Sequence, residues 1–240
     1  DEVLSIAKEY NLMIIEDAAQ ALNSKYRGTY LGSIGTMGCT SFHDTKNYHC
    51  GEGGALFIND TEFIERVEII REKGTNRNKF FRGEVDKYTW MDVGSSYLIN
   101  EFTCAVLFSQ LNRIEEITEI RIRSWQHYHE RLTPLQDEGK LSLLKVPDHC
   151  QQNAHIFAIK LESLEQRSSL IEFLLQRGVQ STFHYVPLHS SPAGERYGRF
   201  AGQDAITTKD ASRLLRLPLF YGLSKQEIDY VCDNIRQFFT

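Results

Sequence analysis

Ser41-Phe42-His43-Asp44-Thr45-Lys46-Asn47, closed by Gly51-Glu52-Gly53-Gly54-Ala55, is the stretch on which the reading of the fold turns. A short strand candidate, Cys39-Thr40-Ser41-Phe42, leads into it. The apolar run Ala55-Leu56-Phe57-Ile58 leads out as a second strand. Between them one lysine sits among small polar residues. Three roles are open to it: surface charge, phosphate binder or covalent catalyst. The glycines form no Walker A loop, since no Lys-Ser or Lys-Thr follows, and no G-x-G-x-x-G between strand and helix. They suit a tight turn that brings backbone close to a ligand.

Upstream, Asp1 to Tyr10 reads as a helix with Val3, Leu4 and Ala7 on one face. Asn11 can end it, because asparagine tolerates the left-handed conformation. Leu12-Met13-Ile14-Ile15 then predicts a strand buried on both faces of a parallel sheet. It delivers Glu16-Asp17-Ala18-Ala19-Gln20 at its carboxyl end, the edge where open α/β sheets bind ligands. An acid at the end of a buried strand is paired or functional, because an isolated buried carboxylate is costly.

Downstream, Asn59-Asp60-Thr61 caps a helix over Phe63, Ile64, Val67 and Ile70. Residues 74–98 are aromatic, polar and without clear period, which suggests a functional segment. Helical spacing returns from Glu101 to Leu132, as two helices or one bent one. Turn composition at Pro134–Gly139 marks the domain boundary. The chain therefore divides into 1–133, an α/β domain with its linking helices, and 134–240, a smaller α+β domain. The second part predicts a strand at 155–161, a helix at 168–177 closed by Gly178, and a strand at 179–185. Closing helices follow at 208–215 and 224–239. Ser224-Lys225-Gln226-Glu227 is a capping box at the last helix.

Composition narrows the function. The 240 residues are 41% hydrophobic and 25% charged, with net charge −5. That is ordinary globular material without the basic field of a nucleic-acid binder. No apolar run is long enough to span a bilayer. Five dispersed cysteines without a C-x-x-C pair read as reduced thiols in a cytoplasmic protein. His184 and His189 lack a nearby third ligand, so no metal site is expected.

One cofactor chemistry calls for both Asp17 and Lys46. Pyridoxal 5'-phosphate needs a lysine amine for its Schiff base and an acid opposite the pyridine nitrogen. Its phosphate needs hydroxyl and amide donors, which Ser41 and nearby amides can supply. Taken alone, these residues fit a surface lysine as well.

The same segments, Glu16–Gln20, Ser41–Asn47 and Gly51–Gly54, resemble the DegT/DnrJ/EryC1/StrS family of sugar aminotransferases. Arg71–Arg77, Phe80–Gly83, Val85–Trp90, Gly94–Leu98, Phe183–His189 and Leu214–Tyr221 extend the likeness across the chain. The resemblance implies fold type I of the pyridoxal-phosphate-dependent transferases, with a mainly parallel sheet in an incomplete large domain and a small α+β C-terminal domain. It implies Lys46 as the Schiff-base lysine and proton carrier. Asp17 pairs with the pyridine nitrogen, Gln20 lies against the ring or its 3-hydroxyl, and Ser41 binds the phosphate. Ser96 stands where many relatives place an asparagine that reaches the phosphate of a neighbouring subunit, so a homodimer is implied. His184, Tyr185 and His189 match a segment near the nucleotide-sugar.

The wider pattern implies a dTDP-4-keto-6-deoxy sugar as substrate and glutamate as amino donor. The product would be dTDP-4-amino-4,6-dideoxygalactose, for cell-surface polysaccharide such as enterobacterial common antigen. Sugar 3-dehydratases of the family carry histidine at the lysine position, and Lys46 argues against that branch. Family members begin well before this first helix, so the chain is expected to be a C-terminal part. The rival expectation is an inactive remnant or binding module.

Overall fold

A computed structural model describes all 240 residues. In order the elements are α1 (Glu2–Glu9), β1 (Ile15–Asp17), β2 (Lys25–Tyr26), β3 (Thr29–Tyr30), β4 (Met37–Ser41), β5 (Gly54–Ile58), α2 (Ile64–Arg71), α3 (Arg77–Phe81), α4 (Glu101–Leu111) and α5 (Ile114–Asp137). There follow β6 (Ser142–Leu143), β7 (Cys150–Gln151), β8 (Phe157–Lys160), α6 (Leu164–Leu175), β9 (Thr182–Phe183), α7 (Pro192–Tyr197), α8 (Thr207–Arg213), β10 (Leu214–Leu217) and α9 (Lys225–Phe238).

Two compact units form: Asp1–Glu115 with Asp148–Asn153, and Glu116–Pro147 with Ala154–Thr240. The sequence boundary at 133/134 falls inside α5, which runs through Pro134 to Asp137. Tyr128, Leu132 and Leu135 of that helix are buried in the second unit's core, so it belongs there by packing.

The first unit holds a three-stranded sheet, β1-β4-β5. β1 runs parallel to β4 and β4 antiparallel to β5, so the sheet is mixed. A second small sheet, β3-β2-β7, draws residues 150–151 into this unit. The expectation of a strand at 12–15 buried on both faces is corrected. The paired residues are Ile15–Asp17. Leu12, Met13 and Ile15 are 60–69% exposed, because β1 is an edge strand with one neighbour. Asn11 does adopt the left-handed conformation, with φ 51°.

Glu16 carries the loop between β3 and β4. Its carboxylate accepts from the amides of Gly32, Ile34 and Gly35 at 2.8, 2.6 and 2.7 Å. Gly38 in β4 lets this loop pass, since a Cβ there would lie 2.1 Å from the Gly32 carbonyl oxygen. The irregular 74–98 segment contains the short α3 and the isolated pairings Thr75–Trp90 and Glu72–Ser96.

The second unit is an antiparallel sheet, β6-β8-β10-β9, covered by α5, α6 and α9. Phe157, Ile159, Leu170, Leu174, Leu215 and Ile235 are buried in its core. The expected helix 208–215 ends at Arg213, and Leu214–Leu217 is a central strand. Leu215 and Leu217 alternate inward around Arg216, a period of two that a strand satisfies and a helix does not. The expected strand 179–185 pairs only at Thr182–Phe183. The expected helix 168–177 starts earlier, at Leu164 with Ser163 as cap, and Gly178 follows it with φ 74°. The capping box at Ser224 and Glu227 is formed.

Candidate active site

Strand register assembles the first part of the site. Asp17 pairs with Cys39 in the parallel ladder β1–β4. Ser41 is two residues further along β4. Side chains alternate along strands, so Asp17, Cys39 and Ser41 share one face at the carboxyl end of both strands. That is the ligand-binding edge of an α/β sheet.

Lys46 follows in the turn between β4 and β5. Backbone bonds shape that turn: Phe42 N to Gly53 O at 2.8 Å, Asp44 N to Gly51 O at 2.9 Å and Cys50 N to Phe42 O at 2.9 Å. The Lys46 amide itself donates to His43 O at 2.9 Å. Its side chain is half-buried, and Nζ makes no hydrogen bond or ion pair.

The other groups are similarly available. Asp17 is exposed, contrary to the buried acid expected, because the strand that bears it is at an edge. One carboxylate oxygen accepts from Ala19 N at 3.1 Å and the other has no protein donor. Ser41 Oγ accepts from His43 N at 3.2 Å, which leaves its proton free to donate. Gln20 is exposed, with its carbonyl engaged by Asn153. His43 is surrounded by Asp44 at 2.8 Å and Glu52 at 3.6 Å.

Asn153 was not found from the sequence. It is 5% exposed, and its Nδ2 donates to Gln20 O and Leu22 O at 2.9 and 2.8 Å. Its carbonyl accepts from Asn47 Nδ2 at 2.8 Å. One residue thus ties the loop after Asp17 to the turn that carries Lys46. Nothing local signals this, since Asn153 is separated from Asn47 by more than a hundred residues.

Within the first unit, one expected residue stands apart from this edge. Ser96 is exposed and lies opposite Glu72 at the end of α2. His184, Tyr185 and His189 belong to the second unit. There Arg167, Phe183, His184, Tyr185, Pro187 and Thr208 help line a cavity of about 340 Å³. His184 Nδ1 is buried without a hydrogen-bond partner. Burial, with the charge of Arg216, holds His184 below the usual histidine pKa. His189 is already engaged, with Nε2 at 2.8 Å from Asp204 Oδ2. The Thr208 hydroxyl and then His189 hold Asp204 below the usual carboxylate range.

The DegT/DnrJ/EryC1/StrS aminotransferase family profile matches residues 1–236. The chain belongs to this family. It is 30% identical over its whole length to a pleiotropic regulatory protein of Geobacillus stearothermophilus, of which it covers 61%. It is 28% identical over 98% of its length to the UDP-4-amino-4,6-dideoxy-N-acetyl-beta-L-altrosamine transaminase of Campylobacter jejuni, again covering 61%. The crystal structure of a family aminotransferase from Brucella abortus matches 98% of the chain with a TM-score of 0.86 at 29% identity, and the chain covers 60% of it. The chain thus spans about 60% of the length of these relatives. The architecture is the fold type I of pyridoxal-phosphate-dependent sugar aminotransferases, and the family is pyridoxal-phosphate-dependent.

The residues at the sheet edge fit that cofactor. They offer an unengaged amine at Lys46, a carboxylate oxygen without a donor at Asp17 and a hydroxyl proton without an acceptor at Ser41. Those are the partner types that a pyridoxal phosphate aldehyde, ring nitrogen and phosphate require.

Proposed function

We propose that this chain carries the lysine-bearing part of a pyridoxal-phosphate-dependent sugar aminotransferase site. The observation that carries the reading is the shared face and edge of Asp17 and Ser41, with the Lys46 turn growing from the same strand. The bound cofactor would supply an electron sink for negative charge developing at the amine-bearing carbon. Asp17, through its open oxygen, would hold the ring nitrogen protonated. Ser41 would donate its hydroxyl proton to the phosphate, and Gln20 would lie against the ring or its 3-hydroxyl. Lys46 would anchor the cofactor through Nζ and then use that atom to move a proton as general acid and base.

The finer reading is amino transfer from glutamate to C4 of a dTDP-4-keto-6-deoxyhexose, giving dTDP-4-amino-4,6-dideoxygalactose in the cytoplasm. The resemblance over residues 71–98 supports it. The likeness to the UDP-amino-sugar transaminase of Campylobacter supports a nucleotide-sugar substrate more generally. His184 and Tyr185 would contact the nucleotide-sugar, with His189 orienting their segment through Asp204. Ser96 would donate to the phosphate held by a second subunit of a homodimer.

The test is borohydride trapping of pyridoxal phosphate on the purified chain, mapped by mass spectrometry. The dTDP-4-keto-6-deoxy sugar is then assayed with glutamate. A label on Lys46 with amino-sugar formation is the expected result. A label elsewhere overturns the Lys46 assignment.

A second reading is a non-catalytic folded module. Large apolar side chains left in water support it, Met13 at 69% and Phe102 at 88% exposed among them. That reading predicts neither trapping nor turnover.

A further inference from the structure

Arg167 of α6 lines the cavity of about 340 Å³ within the second unit. Its guanidinium makes no hydrogen bond to the protein and no ion pair, and its Nε is buried. It lies 5.7 Å from the Phe183 ring, which shares the cavity wall. A cation withdrawn from water without an anion is costly, so the arrangement fits an anion that arrives from outside.

Acids on neighbouring segments are engaged elsewhere. Asp210 of α8 is held by Lys160 at 3.1 Å and Arg213 at 2.5 Å. Asp204 is held by His189 at 2.8 Å and by the Thr208 hydroxyl. The serine hydroxyls of the wall are also spent: Ser190 Oγ donates to Pro187 O at 3.2 Å and Ser212 Oγ to Lys209 O at 2.8 Å. The buried polar atoms of the wall left without a partner are Arg167 Nε and His184 Nδ1. Burial, and then Arg216, hold His184 below its usual pKa, so the neutral ring can carry its proton on Nδ1 and donate it.

Charge and shape select the ligand class. One guanidinium beside a neutral imidazole matches a single negative charge, and the planar fork of arginine suits a carboxylate. Leu164, Phe183, Val186 and Ala211 line the cavity as well, which suits an apolar body. The volume stands at the small end of ligand pockets, which run from about 300 to 1,000 Å³.

We propose that this cavity binds a monocarboxylate with a short apolar body. Arg167 and His184 Nδ1 donate to the carboxylate, and the body packs against Leu164, Phe183, Val186 and Ala211. The site goes beyond the proposed amino transfer, with which it shares His184, and does not depend on Lys46.

The experiment titrates acetate, hexanoate and 3-phenylpropanoate into the purified chain, with calorimetry for affinity and NMR of the His184 ring for location. Hexanoate and 3-phenylpropanoate should bind one to one and shift the His184 ring signals, about tenfold or more tighter than acetate. Hexanamide, with the same body and no charge, should bind about tenfold or more weaker than hexanoate. Arg167→Gln should weaken hexanoate to the same degree. Arg167→Lys should recover part, because an ammonium keeps the charge without the fork. Ala211→Phe should fill the cavity and block binding with Arg167 in place. Inorganic phosphate should not displace hexanoate. Absence of saturable binding by any of the acids would overturn the site. Equal affinity in a folded Arg167→Gln chain would overturn the carboxylate contact, and displacement by phosphate at matching strength would overturn the apolar body. Borohydride trapping at Lys46 is read separately, so either proposal can fail alone.

Discussion

Asn47 donates its side-chain amide to the backbone carbonyl of Asn153 at 2.8 Å, and through Asn153 the Lys46 turn is joined to the loop after Asp17. The two groups proposed to meet the ends of a pyridoxal cofactor are thereby held in one frame. Asn153 touches neither of them. It is a positioning residue, and its effect should appear in cofactor affinity.

Asn153→Ala removes the Nδ2 bonds to Gln20 O and Leu22 O and leaves two backbone carbonyls short of a donor. The expected cost is about 1–3 kcal/mol of stability in the first unit. Pyridoxal phosphate titration should show roughly tenfold weaker binding, about 1.4 kcal/mol. Asn153→Asp keeps the size of the side chain but replaces its amide donor, so it should fail to rescue. Unchanged affinity in the alanine variant would remove Asn153 from the site.

Lys46→Ala should abolish borohydride-trapped cofactor and all amino transfer. Stability should change by no more than about 0.5 kcal/mol, because the side chain makes no hydrogen bond or ion pair and the turn is closed by backbone bonds. Denaturant unfolding and trapping mass spectra check the two halves separately. A variant that still transaminates would exclude Lys46 as the proton carrier.

His184 should titrate with a midpoint below the ordinary value of about 6.5 in the folded chain. The unfolded chain then binds the proton more readily. This contribution to stability is therefore full above the unfolded pKa and is lost as pH falls from about 6.5 through the lower folded midpoint. An NMR titration of the His184 ring reads the midpoint directly. His184→Gln should flatten that part of the stability profile, and a midpoint above 6.5 would contradict the burial seen at Nδ1.

Arg121 gives a prediction confined to the second unit. It is 7% exposed and donates to the carbonyls of Ala154, His155 and Leu219 at 3.1, 2.9 and 3.3 Å. Arg121→Ala leaves these acceptors short of a charged donor and should destabilise by about 3 kcal/mol. Arg121→Lys should recover only part, because one ammonium cannot reproduce the planar fork. Thermal unfolding measures both.

Local chemistry was legible in the sequence where a residue's neighbours along the chain decide its state. The Ser224–Glu227 capping box, the left-handed Asn11 and the strands flanking the Lys46 turn follow from side-chain type and spacing. So did the placing of Asp17 and Ser41 at strand ends, which the parallel register then set on one face. Leu12–Ile15 and Leu214–Leu217 show where such reading stops. An apolar run records what can be buried, while the number of neighbours fixes what is buried. The first run lies in and beside an edge strand and stays largely in water, whereas the second becomes a central strand with a buried alternate face. Likewise turn composition at Pro134 did not end a helix whose apolar side was already committed to a core. The sequence by itself determined the family and singled out Lys46 as the proposed cofactor lysine, because both readings reside in contiguous motifs. Only the tertiary structure decided that Asn153 frames the Lys46 turn and that Arg121 ties α5 to the carbonyls of Ala154, His155 and Leu219, because each bond joins a side chain to a distant backbone carbonyl that folding alone brings within reach.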